Sequence, residues 1–286
     1  MPFTAGDKMS NHSESRRPAY FSRLIDAYDA GLTGRHAHLG YWDEPEQVTQ
    51  VSGEDFETAQ NRMNLQLLGM ISLSEADSIL DVGCGFGGLL RQIDTLVQAV
   101  FLTGLNIDRR QLEICQQINS VNGNVFRWCE SDACRLPFSG PSFDVVFCVE
   151  AVFHFLSRRV FLQEAARVLK PGGRLLLTDF SLAPPAGTPH FLPEALLADG
   201  FGPWPDPFCR EGTTHELLKS CNSWQDVDCR DLTLQTAPTW LHVLPHNCSE
   251  DNAPTDPGVR SALTLAWLQR CGGLRYECLV ATRSSH

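Results

Sequence analysis

At 286 residues, with 43% hydrophobic and 20% charged side chains, the chain can bury a full core, as one large α/β domain with insertions or as two small domains. A formal net charge of −11 argues against a general nucleic-acid binder, which would present a basic face. Eleven cysteines without a CxxC pair or a His/Cys cluster at ligand spacing argue against zinc and against a disulfide scaffold. The N-terminal residues hold no apolar segment of the signal-peptide kind, and no run approaches the ~20 apolar residues of a membrane helix. The expectation is a cytoplasmic protein with reduced thiols and no nucleic-acid or membrane partner.

Residues 1–18 are polar and predict a flexible tail. From Tyr20, the stretch YFSRLIDAYDAGL sets Phe21, Leu24, Ile25 and Tyr28 on one helical stripe that Gly31 and Gly34 end. HLGYWDEP reads as an aromatic loop, and 55–70 as a second amphipathic helix. From residue 78 the rhythm changes. SILDV is a short apolar strand, GLLRQIDTL a helix, VFLTGLNI a strand and DRRQLEICQQINSV a helix capped by Asp108. NVFRWCES and SFDVVFCVEA are strands; 157–169 is a helix stopped at Pro171–Gly172–Gly173, and RLLLTDF is the next strand. Strands separated by helices imply a mostly parallel sheet covered on both faces. Residues 181–226, rich in proline and aromatics, read as an insertion over the sheet. DVDCRDLTLQT is then a strand, 256–271 a helix and LRYECLVATR a last strand. The predicted organisation is a tail over 1–18, a helical lid over 19–72, a Rossmann-like core over 73–180, a cap insertion over 181–226 and the rest of the core sheet over 227–286.

The strongest signal is LDVGCGFGG, where a buried strand runs into a glycine turn that opens a helix. Gly83, Gly85 and Gly88 also satisfy GxGxxG, so a nicotinamide or flavin site has to be weighed. Asp81 turns the balance. A carboxylate beside a pyrophosphate is repelled, but beside an ammonium and a sulfonium it is useful. Asn106, in GLNID, stands where a side chain at the end of a second strand meets a ribose. Asp132, in SDACRLPF, ends the third strand, where it can accept from an adenine amino group.

DVGCGFG, the DA pair followed by LPF, FDVVFCVEAVFHF and RVLKPGGRLLLTD, in this order over about residues 20–180, resemble the class I S-adenosylmethionine-dependent methyltransferases. The resemblance implies an α/β Rossmann-like fold with a mostly parallel seven-stranded sheet and helices on both faces. It implies that Asp81, Gly83 and Gly85 hold the methionine part of S-adenosylmethionine, Asn106 the ribose, and Asp132 and Ala133 the adenine, with Ile107 also among the cofactor contacts. The family usually carries an acid where this chain has Asn106. Relatives with a histidine-glycine-aromatic segment use their N-terminal helices as a lid, so Tyr20, His38, Tyr41 and Trp42 would close over the cofactor and its methyl group.

Chemistry is expected at CVEAVFHF, at the carboxyl end of a central strand. Glu150 and His154 are four residues apart and share a face if a helical turn begins there. Either, or Tyr20, would take a proton from the acceptor, and Glu150 also falls among the expected cofactor contacts. Phe153, Phe201, Trp204 and Trp240, with Tyr41 and Trp42, are the expected acceptor-binding aromatics, alongside Phe191 and Phe208. No metal constellation is visible. These residues favour a small hydrophobic acceptor of natural-product type, with carbon methylation of an indole-like ring foremost. The alternatives are an isoprenyl diphosphate methylated with Glu150 as base, another oxygen or nitrogen acceptor, and a cyclase that binds the cofactor without methylating. The oligomeric state is left open.

Overall fold

The computed structural model describes residues 20–183, 194–244 and 256–285; the expected tail and Phe191 lie outside the described residues. The strands are β1 (Ser78–Val82), β2 (Phe101–Asn106), β3 (Val125–Glu130), β4 (Phe143–Cys148), β5 (Leu169–Leu182), β6 (Trp224–Asp231) and β7 (Leu274–Arg283). They form one seven-stranded sheet in the order β3-β2-β1-β4-β5-β7-β6. β1 to β5 pair in parallel, and β7 lies antiparallel between β5 and β6. The α/β class I fold expected from the sequence is the fold observed.

The helices are α1 (Tyr20–Asp29), α2 (Gly53–Leu68), α3 (Gly88–Leu96), α4 (Arg109–Cys115), α5 (Arg158–Val168) and α6 (Glu194–Phe201), then α7 (Thr214–Lys219), α8 (Thr233–Thr236), α9 (Thr239–Val243) and α10 (Pro257–Arg270). Side chains alternate across β1, so Ile79 and Leu80 enter different cores. Ile79 joins Met63 and Leu67 of α2, Ile93 of α3 and Leu268 of α10 on one face. Leu80 joins Phe161 and Ala165 of α5 and Leu217 of α7 on the other. Of these, all but Leu217 lie at zero exposure, so both faces of the sheet are dry at its centre.

Three elements differ from the sequence expectation, each for a local reason. The helix expected over 108–121 ends at Cys115, because the chain beyond it is recruited by Asp94: Ser120 Oγ, Val121 N and Asn124 Nδ2 all donate to that carboxylate at 2.6–2.9 Å. β5 begins at Leu169, directly after α5, so Pro171–Gly172–Gly173 sits inside the strand segment at a register shift against β4. The strand expected to run through Thr236 stops at Asp231, whose carboxylate accepts from Thr233 N at 2.9 Å and starts α8.

The strand order reverses between β1 and β4. Loops leaving their carboxyl ends therefore diverge and leave a crevice, the place where open α/β sheets bind ligands.

Candidate active site

That crevice is a cavity of about 230 Å³. Asp81 forms part of its floor. The residue lies on β1 between Gly104 of β2 and Phe147 of β4, and it is 3% exposed. No donor among the described residues bonds its carboxylate, and burial pushes its pKa up to about 7. A buried carboxylate without a donor is costly alone and is a receptor for a cation. The turn that follows keeps a wall of backbone next to it. Gly83 has φ +80°, and a Cβ there would collide with Ala151 Cβ, so only glycine lets the turn pass between β1 and the β4 loop.

At the end of β2, Asn106 is 4% exposed and already engaged. Its Oδ1 accepts from Asp108 N and its Nδ2 donates to Gln111 Oε1, each at 3.0 Å. The amide that remains is Gln111 Nε2, buried, without a partner among the described residues, on a side chain that lines the cavity. Sequence reasoning passed over Gln111. The usable signal was its place in the first turn of α4, which Asp108 caps beside the strand end. Ile107 and Ala133 line the same side, as does Asp132, whose Oδ1 accepts from Cys134 N at 2.8 Å.

The opposite side is built by α1, the loop after it and the loop after β4. Tyr20 and His154 meet here. Pro203 O can only accept, so His154 Nδ1 donates to it at 3.0 Å, and Nε2 is left to accept from the Tyr20 hydroxyl at 2.9 Å. Burial and the nearby Arg158 charge lower the His154 pKa to about 4, against the opposing effect of the Pro203 bond. Burial, then the Glu150 charge, raise that of Tyr20. His38 donates Nδ1–H to Leu39 O at 2.9 Å, which leaves Nε2 a buried acceptor without a donor among the described residues. Burial foremost lowers its pKa to about 3.

Glu150 has a left-handed backbone, φ +49°. Its N donates to Thr178 Oγ1 at 2.9 Å. Leu39 N and the Tyr276 hydroxyl both donate to Oε1, at 2.6 and 2.8 Å. No donor among the described residues bonds Oε2, and Glu150 lines the cavity. Burial pushes the carboxyl up to about 7, opposed by the Leu39 and Tyr276 bonds. The helical turn expected to align Glu150 with His154 is a short 3-10 turn, Val152–His154, and the two side chains take different partners.

Every residue expected to hold the cofactor or move a proton thus lines one cavity. The expected acceptor aromatics do not. Trp42 packs with Val51 and Ala59, and Trp240 and Trp204 are buried in the main core. Phe153 is 6% exposed, packed against Trp204 at 4.6 Å, and Tyr41, Phe201 and Phe208 pack on the same core. The apolar wall comes instead from Phe21, Leu24, Phe155, Leu156, Pro203 and Pro205. Phe21 and Leu24 were visible in the sequence as part of the α1 stripe.

The residues fit a cationic adenosyl amino acid. A donor-free carboxylate, a donor-free imidazole acceptor and a spare amide donor face one space beside a turn without side chains. Residues 80–177 match the family model described as a methyltransferase domain. The chain is 30% identical over 240 residues to methyltransferase GfsG of Streptomyces halstedii, across 79% of this chain and 78% of that one. The chain belongs to the class I S-adenosylmethionine-dependent methyltransferases.

S-adenosylmethionine is therefore its cofactor. Over 172 residues, 58% of each chain, this methyltransferase is 38% identical to 27-O-demethylrifamycin SV methyltransferase of Amycolatopsis mediterranei. The matched region spans 53–64% of the length of the first three curated relatives. The mycolic acid cyclopropane synthase CmaA1, solved with S-adenosylhomocysteine and CTAB, shares the fold with a TM-score of 0.73 at 19% identity, covering 94% of this chain and 98% of that one. Among the described residues no helix is long and apolar enough to cross a membrane.

Proposed function

We propose that this methyltransferase transfers a methyl group to a hydroxyl on a small hydrophobic acceptor of natural-product type. The observation that carries the reading is the pairing, across one cavity, of the Asp81 carboxylate with a second carboxyl, Glu150, neither Asp81 nor the Glu150 Oε2 having a donor among the described residues. Several relatives bear names of O-methyltransferases, which supports oxygen ahead of the indole carbon that the sequence suggested first.

When bound, the cofactor supplies an electrophilic methyl group. Asp81 and His38 would hold its ammonium, Gly83 and Gly85 would let the backbone approach, Gln111 and Asn106 would meet the ribose, and Asp132 with Ala133 the adenine. The acceptor would lie along Phe21, Leu24, Phe155 and Leu156, which exclude water. Three groups were candidates for the base, and their surroundings separate them. His154 already accepts from Tyr20 and is held near pKa 4, too acidic to keep a proton at neutral pH. Tyr20 is held un-ionised. Glu150, near 7 with one oxygen unpaired, is matched to the task. Glu150 then takes the acceptor's proton, while Tyr20, aligned by His154, orients the acceptor oxygen.

The test begins with thermal stabilisation by S-adenosylmethionine, S-adenosylhomocysteine and NAD(H), followed by a methyl-transfer screen of phenols, indoles and prenyl diphosphates. Stabilisation by the adenosyl compounds alone, with product from phenols, is the expected result. Product from indoles or prenyl diphosphates alone would replace the oxygen acceptor, and stabilisation only by the nicotinamide would sink the reading.

A further inference from the structure

Tyr276 lies on β7, 126 residues from Glu150, and is fully buried. It belongs to no motif of the cofactor site and does not line the cavity. Its hydroxyl donates to the same Glu150 oxygen as the Leu39 amide, so the lid loop and the far end of the sheet both grip Oε1. The backbone is gripped as well. Glu150 sits at positive φ, where a side chain larger than glycine is held only by its surroundings, and its N–H donates to Thr178 of β5. Two donors on one oxygen and a fixed backbone leave the carboxyl a single orientation.

We propose that Tyr276 is a positioning residue: together with the Leu39 amide it fixes Oε1 of Glu150 so that Oε2 faces the acceptor and takes its proton. The inference rests on the methyltransferase reading above. The acceptor O–H bond breaks, its proton joins Oε2, and the electron pair stays on the acceptor oxygen for the new bond to the methyl carbon, whose bond to the sulfonium sulfur would break with its pair left on sulfur. Tyr276 keeps its own proton throughout. Around Glu150, Tyr20 of α1 and Tyr276 of β7 are titratable groups raised first by burial and then by its charge. His38, Asp81, Asp132, His154 and Arg35 share the cavity wall.

A donor to the ionised carboxylate favours that form, so removing it raises the titration midpoint. The experiment reads the C=O stretch of the protonated Glu150 carboxyl by infrared spectroscopy of the full chain with S-adenosylhomocysteine, as the difference between wild type and Glu150→Gln. The expected wild-type midpoint is near pH 7, and Tyr276→Phe should move it up by about one unit. With any acceptor from the screen, the acid limb of kcat should move by the same amount while the KM for S-adenosylmethionine stays put. A merely structural Tyr276 would move neither limb nor midpoint. If Tyr276→Phe does not accumulate as folded protein, 3-fluorotyrosine in place of tyrosine, a stronger donor of nearly equal shape, should move the midpoint down. An unmoved midpoint, or a Glu150 carboxyl ionised throughout pH 5 to 9, overturns the proposal. Absence of any stabilisation by S-adenosylhomocysteine would instead overturn the methyltransferase reading beneath it.

Discussion

The two halves of the cavity are built in different ways. The half around Asp81 comes from the carboxyl ends of three adjacent parallel strands, β1, β2 and β3, each delivering a polar residue within two positions of its last residue. The half around Glu150 is assembled from α1, the loop after it, the turn after β4 and the residues after α6, and it is tied by bonds such as Leu39–Glu150 and His154–Pro203 that span 111 and 49 residues. α1 has no fully buried residue and is fastened by a few polar contacts, among them Tyr20–His154 and Arg23 Nη2 to Gly200 O at 2.7 Å. A ligand common to a family can be held by the rigid half, and a variable acceptor by the half that is stitched together. The cost is that the stitched half depends on packing at a distance.

The sharpest way to break this contrast is to attack packing behind the Glu150 side. Trp204 is 4% exposed, rests on Phe153 and Phe180 at 4.6 and 5.9 Å, and does not line the cavity. Trp204→Ala should cost ~3–5 kcal/mol of stability, measured by chemical denaturation. Its affinity for S-adenosylhomocysteine should stay within about twofold, since Trp204 packs on Phe153 and Phe180 and does not line the cavity, while Leu80, Val82 and Leu105 of β1 and β2 sit in the other core. Loss of cofactor affinity with unchanged stability would mean that Trp204 is a ligand contact after all.

On the rigid half, Gly83→Ala should weaken S-adenosylhomocysteine on the order of 100-fold in calorimetry, because the added methyl group must enter Ala151 at a φ that alanine avoids. Asp81→Asn ranks next. Replacing a charge-assisted contact by a neutral one should weaken the cofactor about 10- to 100-fold. It should also flatten a pH dependence. Asp81 and Glu150 sit near 7 in the folded chain, well above their unfolded values. Between those values and 7 the folded chain keeps protons that the unfolded chain has released, so stability falls as pH rises through that window and levels above 7. Cofactor affinity has the opposite sign, rising up to pH 7 as Asp81 ionises. The Asp81→Asn change should remove one share of both slopes, and unchanged slopes would place the titration elsewhere.

The same contrast explains what was legible. LDVGCGFGG announced strand, turn and helix because period, glycine and cap are local signals, and Asn106 and Asp132 were found by counting to strand ends. The helix α1 was visible as an apolar stripe. The fate of the aromatics was not. Whether Trp42, Trp204 and Trp240 line a cavity or fill a core depends on which elements meet, and composition is identical in both cases. Tyr276 and Gln111 were missed for related reasons. One acts across the sheet on a residue 126 positions away, and the other matters because Asn106 has already spent its hydrogen bonds.

The Asn106–Gln111 pair gives the smallest expected effect and the finest test of the rigid half. If Asn106 were the ribose contact by itself, Gln111 would be a spectator, and Gln111→Leu would leave the cofactor unaffected. The structure argues otherwise. Asn106 donates to Gln111 and accepts from the Asp108 amide, so Gln111 Nε2 carries the donor that this pair still offers. Gln111→Leu removes that donor and strands Asn106 Nδ2, a loss of one net hydrogen bond, or about 2- to 12-fold in the dissociation constant of S-adenosylhomocysteine. Asn106→Leu should cost more, because it also leaves the Asp108 amide at the start of α4 without its acceptor. A double variant no weaker than Asn106→Leu alone would mean that the two amides act as one unit, with Asn106 serving to aim Gln111.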